Sequence, residues 1–273
     1  MLNKRYNNTQ INGTEKYMGK TVLVTGSTSG IGKALTDKLA GDRYNLVLVS
    51  RDAGKLSSQS KNLTAKYSVE ITVIAMDLSA QTAAQNVYEK VKALGISIDI
   101  LINNAGFDEY GPFLNTDAKN EFDMINLHAI FTTEIMKLYI PDMVKNGFGR
   151  ILNLGSTASF FACPYNAVYA ATKTYILSLS RGVNAELKGT GVSVTTLCPG
   201  ATETEFAPKA GMEATLLFRH MVLKPEKAAD VGYRALMKGK AFVVAGWYNK
   251  VLVQSSRFIP SAFSVFMTKK MLK

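Results

Sequence analysis

The chain has 273 residues, 47% of them hydrophobic and 19% charged, which excludes a disordered or fibrous protein and suffices for one large domain without covalent staples. Lys and Arg outnumber Asp and Glu by 32 to 21, and the net charge of +11 attracts anions, yet no basic run with interleaved aromatics argues for a nucleic-acid partner. Two cysteines, Cys163 and Cys198, and two histidines, His128 and His220, offer neither a disulfide framework nor metal-ligand spacing, so no metal is expected and a reducing, cytoplasmic setting fits.

Residues 1–18 are polar and lack an apolar h-region, so they read as a loosely ordered extension rather than a signal peptide or anchor. No run reaches the roughly 18 consecutive apolar residues that span a bilayer. Strands are predicted at Lys20–Thr25, Asn45–Ser50, Ile71–Met76, Ile98–Ile102, Arg150–Leu154, Val192–Leu197 and Ala241–Val244. Helical patterns lie between them, among them Ile31–Ala40, Leu78–Leu94 and Asp117–Val144. Several strands are continuous apolar runs, the mark of burial on both faces, and the strand–helix alternation implies right-handed crossovers. The expected fold is α/β, a doubly wound Rossmann-type parallel sheet of about seven strands with helices on both faces. With no linker or internal repeat, 19–249 read as one domain, followed by a basic amphipathic tail at 250–273.

Ligands of such folds bind beyond the carboxyl ends of the strands. The first strand runs into Thr25-Gly26-Ser27-Thr28-Ser29-Gly30-Ile31-Gly32 and then a helix pattern; glycines let backbone approach a phosphate, and a helix N-terminus offers it free N–H groups. Later, Ser156 ends the fifth strand region, and Tyr169 and Lys173 form a Y-x-x-x-K. On a helix, i and i+4 share a face, so both side chains would enter one cleft. A phenol with a pKa near 10 is a sluggish base, and an adjacent ammonium lowers that value by roughly 1–3 units.

The T-G-x-x-x-G-x-G turn at Thr25–Gly32, the N-N-A-G element at Asn103–Gly106, Ser156 with Tyr169 and Lys173, and the P-G element at Pro199–Gly200 together resemble the short-chain dehydrogenase/reductase family over roughly Lys20 to Val244. The resemblance implies that Ser156 hydrogen-bonds the substrate oxygen, Tyr169 transfers the proton, and Lys173 holds the nicotinamide ribose while tuning Tyr169. It also implies that Asn126 anchors a water in a proton relay, although a mid-helix Asn is also satisfied locally. A dinucleotide would be held by Gly26, Ser27, Thr28, Ser29, Gly30, Ile31 and Gly32 at its pyrophosphate, and by Asn104, Ala105 and Gly106 along its adenosine ribose. Asp77 and Leu78 would meet the adenine, with an N-cap near Ser79 as the competing reading of Asp77. Pro199, Gly200, Thr202 and Thr204 would meet the nicotinamide carboxamide. An Arg at the end of the second strand accommodates a 2′-phosphate, so Arg51 favours NADP(H) over NAD, with Asp52 read as the N-cap of the next helix.

Glu205–Leu223 are irregular yet carry Phe206, Met212, Leu216, Leu217, Phe218 and Met221; in the family this stretch, set here at about 201–224, is a mobile lid. With Phe107, Phe160, Phe161, Tyr165 and Trp247 it predicts an apolar pocket. The expected function is an NADP(H)-dependent oxidoreductase interconverting a carbonyl and a secondary alcohol on a hydrophobic, lipid- or steroid-like substrate. The alternatives are a 3-oxoacyl-thioester reductase, which shares every motif, and a non-catalytic dinucleotide-sensing protein. Residues 250–273 hold five basic residues and no acid among many apolar ones, which suits either peripheral membrane contact or a packing or dimer-forming arm. The resemblance also implies a homo-oligomer. His128 is expected to pack within its helix rather than act as a base.

Overall fold

The computed structural model describes residues 19–220, 222–256 and 258–273, so the extension expected at 1–18 lies outside the described residues. Strands β1 (Thr21–Thr25), β2 (Asn45–Ser50), β3 (Ile71–Ala75), β4 (Ile100–Asn103), β5 (Gly149–Leu154), β6 (Val192–Cys198) and β7 (Phe242–Val244) form one parallel sheet in the order β3-β2-β1-β4-β5-β6-β7. All seven were expected, with ends shifted by no more than two residues. The apolar runs are continuous because the sheet is covered on both sides. Side chains alternate across a strand. Leu23, Val47, Leu101 and Ile151 therefore enter one core, while Val22, Val24, Leu46, Leu48, Ile100 and Leu152 enter the other.

The helices are α1 (Gly30–Gly41), α2 (Ala53–Tyr67), α3 (Ala83–Ala93), α4 (Ala118–Ile125), α5 (Thr132–Lys145) and α6 (Ala167–Glu186). After β6 come two short helices, α7 (Phe206–Ala210) and α8 (Leu216–His220), then α9 (Pro225–Met237) and, beyond β7, α10 (Trp247–Ser255) and α11 (Ser261–Met271). The order of the strands reverses between β1 and β4, so a crevice opens beyond their carboxyl ends.

Three expected elements differ. The helix expected over Leu78–Leu94 starts only at Ala83, because Asp77 Oδ1 accepts from both the amide and the hydroxyl of Ser79 and holds a turn there. The pattern over Asp117–Val144 is split by a π-helical segment, Asn126–Phe131, between α4 and α5. The stretch expected to be irregular at Glu205–Leu223 contains α7 and α8, and its base is closed by a parallel bridge between Thr202 and Leu223. Glu203 N donates to Leu223 O, and Leu223 N donates to Ala201 O, both at 2.9 Å.

Leu101 is fully buried in the central strand β4. Leu101→Ala should lower unfolding stability by about 2–5 kcal/mol in urea titration, since the flanking strands cannot collapse into the gap.

Candidate active site

At two of its glycines the turn from β1 into α1 has no room for a side chain. At Gly26, φ is +65°, and a Cβ there would stand 2.8 Å from Ala105 Cα. At Gly32 a Cβ would stand 2.1 Å from Gly26 O and 2.2 Å from Asn104 Nδ2. Asn104 tightens this junction, donating from Nδ2 to Gly26 O at 2.9 Å while its backbone N–H donates to Thr25 Oγ1 at 3.0 Å. The Ser29 side chain makes no capping bond to α1, and the first turn carries no acid, so the helix's N-terminal dipole is open to an anion. At the end of β2, Arg51 is exposed, and Asp52 caps α2 by accepting from Lys55 N at 2.9 Å. Burial alone would raise the Asp77 carboxyl, but the two Ser79 bonds, with Arg51 and Lys119 nearby, hold it below the usual carboxylate range.

Asn103 donates to Asn153 Oδ1 at 2.8 Å, and Asn153 donates to Ser180 Oγ at 2.8 Å, tying β4, β5 and α6 together beneath the crevice. Ser156, just past β5, accepts from Ala158 N at 3.1 Å, and its hydroxyl also reaches the Tyr169 phenol. Tyr169 stands in the first turn of α6, with its ring 5.7 Å from that of Phe206 and 5.9 Å from that of His128. Burial raises its phenol well above the ordinary value, the Asp108 charge adds to this, and the Ser156 hydroxyl opposes it. The Lys173 ammonium lies 5.4 Å from the Tyr169 ring centroid and donates to Leu154 O at 3.0 Å. Burial brings Lys173 down to about 8. Burial therefore outweighs the expected lowering by Lys173 and favours the protonated phenol.

His128 is buried within the π segment. Thr172 donates its hydroxyl proton to Tyr169 O at 2.8 Å, so it accepts from His128 Nδ1 at 2.9 Å. Burial, with Lys173 nearby, keeps this imidazole neutral. Its ring packs edge-on against that of Tyr169.

One cavity of about 580 Å³ joins the glycine turn to the lid and the C-terminal helix. Gly26, Thr28, Ser29, Gly30, Ile31, Arg51, Asp77, Leu78, Asn104, Ala105, Gly106, Ser156, Tyr169, Pro199, Gly200, Thr202 and Thr204 line it. Four expected site residues are not on its wall: Ser27, whose carbonyl accepts from Gln59 Nε2 at 2.7 Å; Gly32, inside the turn; Asn126, which opens the π segment; and Lys173, behind Tyr169. Phe107, Phe161, Phe206, Met212, Leu217 and Phe218 form its apolar part. Phe160 instead packs on Phe242, Tyr165 and Leu216 lie off the wall, and Trp247 is 78% exposed; Met221 lies outside the described residues. Sequence reasoning missed Asp108, Asn166 and Cys163 on the wall, and also Phe263, Met267 and Met271 of α11. The loop residues have no periodic or motif signal, whereas α11 is expected as an interfacial helix or a packing or dimer-forming arm, and nothing in its spacing directs it to the cavity. Among the described residues no cluster of His, Cys, Asp or Glu could hold a metal, and no helix is long and apolar enough to cross a membrane.

The family model of the short chain dehydrogenases matches residues 20–214. Very-long-chain 3-oxoacyl-CoA reductase-B of Danio rerio is 33% identical over 196 residues, which cover 70% of this chain and 62% of that protein. The Homo sapiens very-long-chain 3-oxoacyl-CoA reductase is 34% identical over the same shares. The chain thus spans about 62% of the length of these curated relatives. Among solved structures, a short-chain dehydrogenase from Sphingobium yanoikuyae in complex with NADPH superposes with a TM-score of 0.78 at 28% identity, covering 88% of this chain and 94% of that one. A 7beta-hydroxysteroid dehydrogenase reaches a TM-score of 0.82 at 25% identity, covering 93% and 98%. The sheet order, the glycine turn and these likenesses agree, and the chain belongs to the short-chain dehydrogenase family, a family of Rossmann-fold oxidoreductases.

Proposed function

We propose that this protein is an NADP(H)-dependent reductase that interconverts a carbonyl and a secondary alcohol on a hydrophobic substrate. The observation that carries this reading is one continuous cavity with an anion-receptive end and an apolar end, and with Ser156 and Tyr169 on its wall. The close-packed glycine turn, the open N-terminus of α1 and exposed Arg51 suit the phosphates of a dinucleotide. Bound reduced nicotinamide would supply a hydride to the carbonyl carbon. The chain's own part is the oxygen: Ser156 donates a hydrogen bond to it, and Tyr169 gives its proton to the developing alkoxide. A phenol held protonated by burial suits that acid role. Lys173, with an ammonium brought down to about 8, supports Tyr169 from behind and is the local source of a replacement proton. The Asn126 water relay remains part of this proposal, as does a homo-oligomeric state.

A narrower reading, a 3-oxoacyl-thioester reductase, is favoured by the names of the curated relatives. A long acyl chain would suit the apolar wall from Phe206 to Phe263.

Steady-state NADPH oxidation with hydrophobic ketones tests the activity. Tyr169→Phe should lower kcat by about 10²–10⁴-fold and leave NADPH affinity nearly unchanged; an unchanged kcat, or no turnover by the wild type, refutes the reading. Calorimetric titration tests the cofactor: NADPH should bind at least about tenfold more tightly than NADH, and Arg51→Ala should close that gap.

The tail adds a surface. Trp247, Phe258 and Phe266 are 78%, 86% and 61% exposed, while α11 also walls the cavity through Phe263, Met267 and Met271. Lys250, Lys269, Lys270 and Lys273, all exposed, add positive charge to the same segment. This favours peripheral contact with an anionic bilayer, from which an apolar substrate would reach the cavity. In sedimentation with phosphatidylglycerol vesicles the wild type should bind and Phe258→Ser/Phe266→Ser should not. Equal binding by the two, or none by either, would argue for the dimer arm instead.

A further inference from the structure

The proposed chemistry leaves one carboxyl of the cavity wall without a task. Asp108, just past the N-N-A-G element, is 7% exposed, and Asn166, directly before α6, is 6% exposed. Asn166 Nδ2 donates to Asp108 Oδ2 at 2.8 Å, and otherwise reaches only the sulfur of Met212 at 3.9 Å. Asp108 Oδ1 and Asn166 Oδ1 are both buried without a protein partner. Asn166 occupies the N-cap position of α6, where an Asn ordinarily bonds the first helical N–H groups, yet it makes no such bond. Its side chain is committed to Asp108 instead. With Asp108 ionised, these two buried acceptors lack a donor, which is unfavourable in a low-dielectric site and calls for a group that supplies one.

We propose that Asp108 and Asn166 form a second polar anchor, which takes a hydroxyl group carried by an otherwise apolar ketone at a distance from the carbonyl that reacts at Tyr169. The inference rests on the reductase reading above and narrows its substrate class. A hydroxyl can donate to the orphan oxygens, which a thioester or ester carbonyl cannot do. An ammonium could also donate, but it would bring a second positive charge toward Lys173.

The charged neighbours set the pH dependence. Burial pushes the Asp108 carboxyl up to about 7; Asn166, the Glu109 backbone N–H and Lys173 pull it down, and the Glu109 charge pushes it up. The Cys163 thiol, which feels Asp108, is pushed up to about 12 by burial, and the Tyr169 phenol is also raised, so both are neutral. Lys173, brought down to about 8, is the cation of the group. A hydroxyl donates more strongly to a carboxylate than to a neutral acid. The benefit of the substrate hydroxyl should therefore grow as pH rises through about 7, the range in which Asp108 ionises.

The test is a set of ketones assayed with NADPH: methyl nonyl ketone and its monohydroxylated isomers, with the hydroxyl moved along the chain. For the wild type, at least one isomer should exceed the unsubstituted ketone by about tenfold in kcat/KM, chiefly through KM. Asp108→Leu should abolish that gain, so that the hydroxylated and the unsubstituted ketones have the same kcat/KM in this variant whatever its absolute rate. Asp108→Asn, the variant to use if the leucine chain does not fold, should keep a smaller gain without pH dependence. A gain that survives in Asp108→Leu, or an equal loss on every ketone, overturns the anchor. Turnover of the plain ketone with no gain from any hydroxyl overturns the anchor alone, whereas no turnover of any ketone overturns the reductase reading with it.

Discussion

Both faces of the parallel sheet are packed against helices, so polar chemistry is pushed to the edge where the strands end. The closest approach on that edge is at the β1–α1 turn. There the Gly26 carbonyl and the Asn104 amide occupy the space in which a side chain at Gly32 would begin. That contact joins β1 to the end of β4 at the point where strand order reverses. The open N-terminus of α1 on one side and the loop carrying Asp108 on the other take their positions from it. A side chain forced in at Gly32 would have to displace backbone, not merely a flexible neighbour, so the cleft geometry and the turn stand or fall together.

Much of this was legible because it is periodic or local. Apolar runs such as Asn45–Ser50 are continuous when both faces are buried, and Tyr169 and Lys173 share a helical face at their spacing. Side-chain destinations were less legible. Lys173 was expected in the cleft, but its ammonium is taken by the Leu154 carbonyl beneath it, a contact between residues 19 positions apart in sequence. The π segment at Asn126–Phe131 leaves the apolar pattern of its helix intact, so nothing in the spacing announces it. Trp247 reads as a pocket aromatic by composition, yet α10 turns it outward. Asp108 carries no signal at all, since a single acid in a polar loop is ordinarily solvated.

The electrostatics of the site follow from burial more than from pairing. Tyr169, Lys173, Asp108 and Cys163 are each moved first by desolvation, and each toward its neutral form. A cavity that keeps phenol and thiol neutral lets a charge change on a bound group be felt strongly, because buried surroundings screen it weakly. The π segment contributes by wedging neutral His128 against the Tyr169 ring, and that imidazole is held in one tautomer by Thr172.

The substrate end is built from three distant parts of the chain that meet in a small apolar cluster of their own. Ala207 and Met212 of the lid pack with Leu272 at the C-terminus, and the Tyr110 hydroxyl, in the loop after β4, donates to the Leu272 carbonyl. Few side chains are fully buried in this cluster, whereas each sheet core runs the length of several strands. Regions with less buried apolar contact open at lower free energy than the core they rest on. The α7–α8 segment and α11 are therefore expected to open at lower free energy than the sheet and the glycine turn. Because Asn166 touches both Asp108 and Met212, a group bound at that anchor would also bear on the closure of the lid.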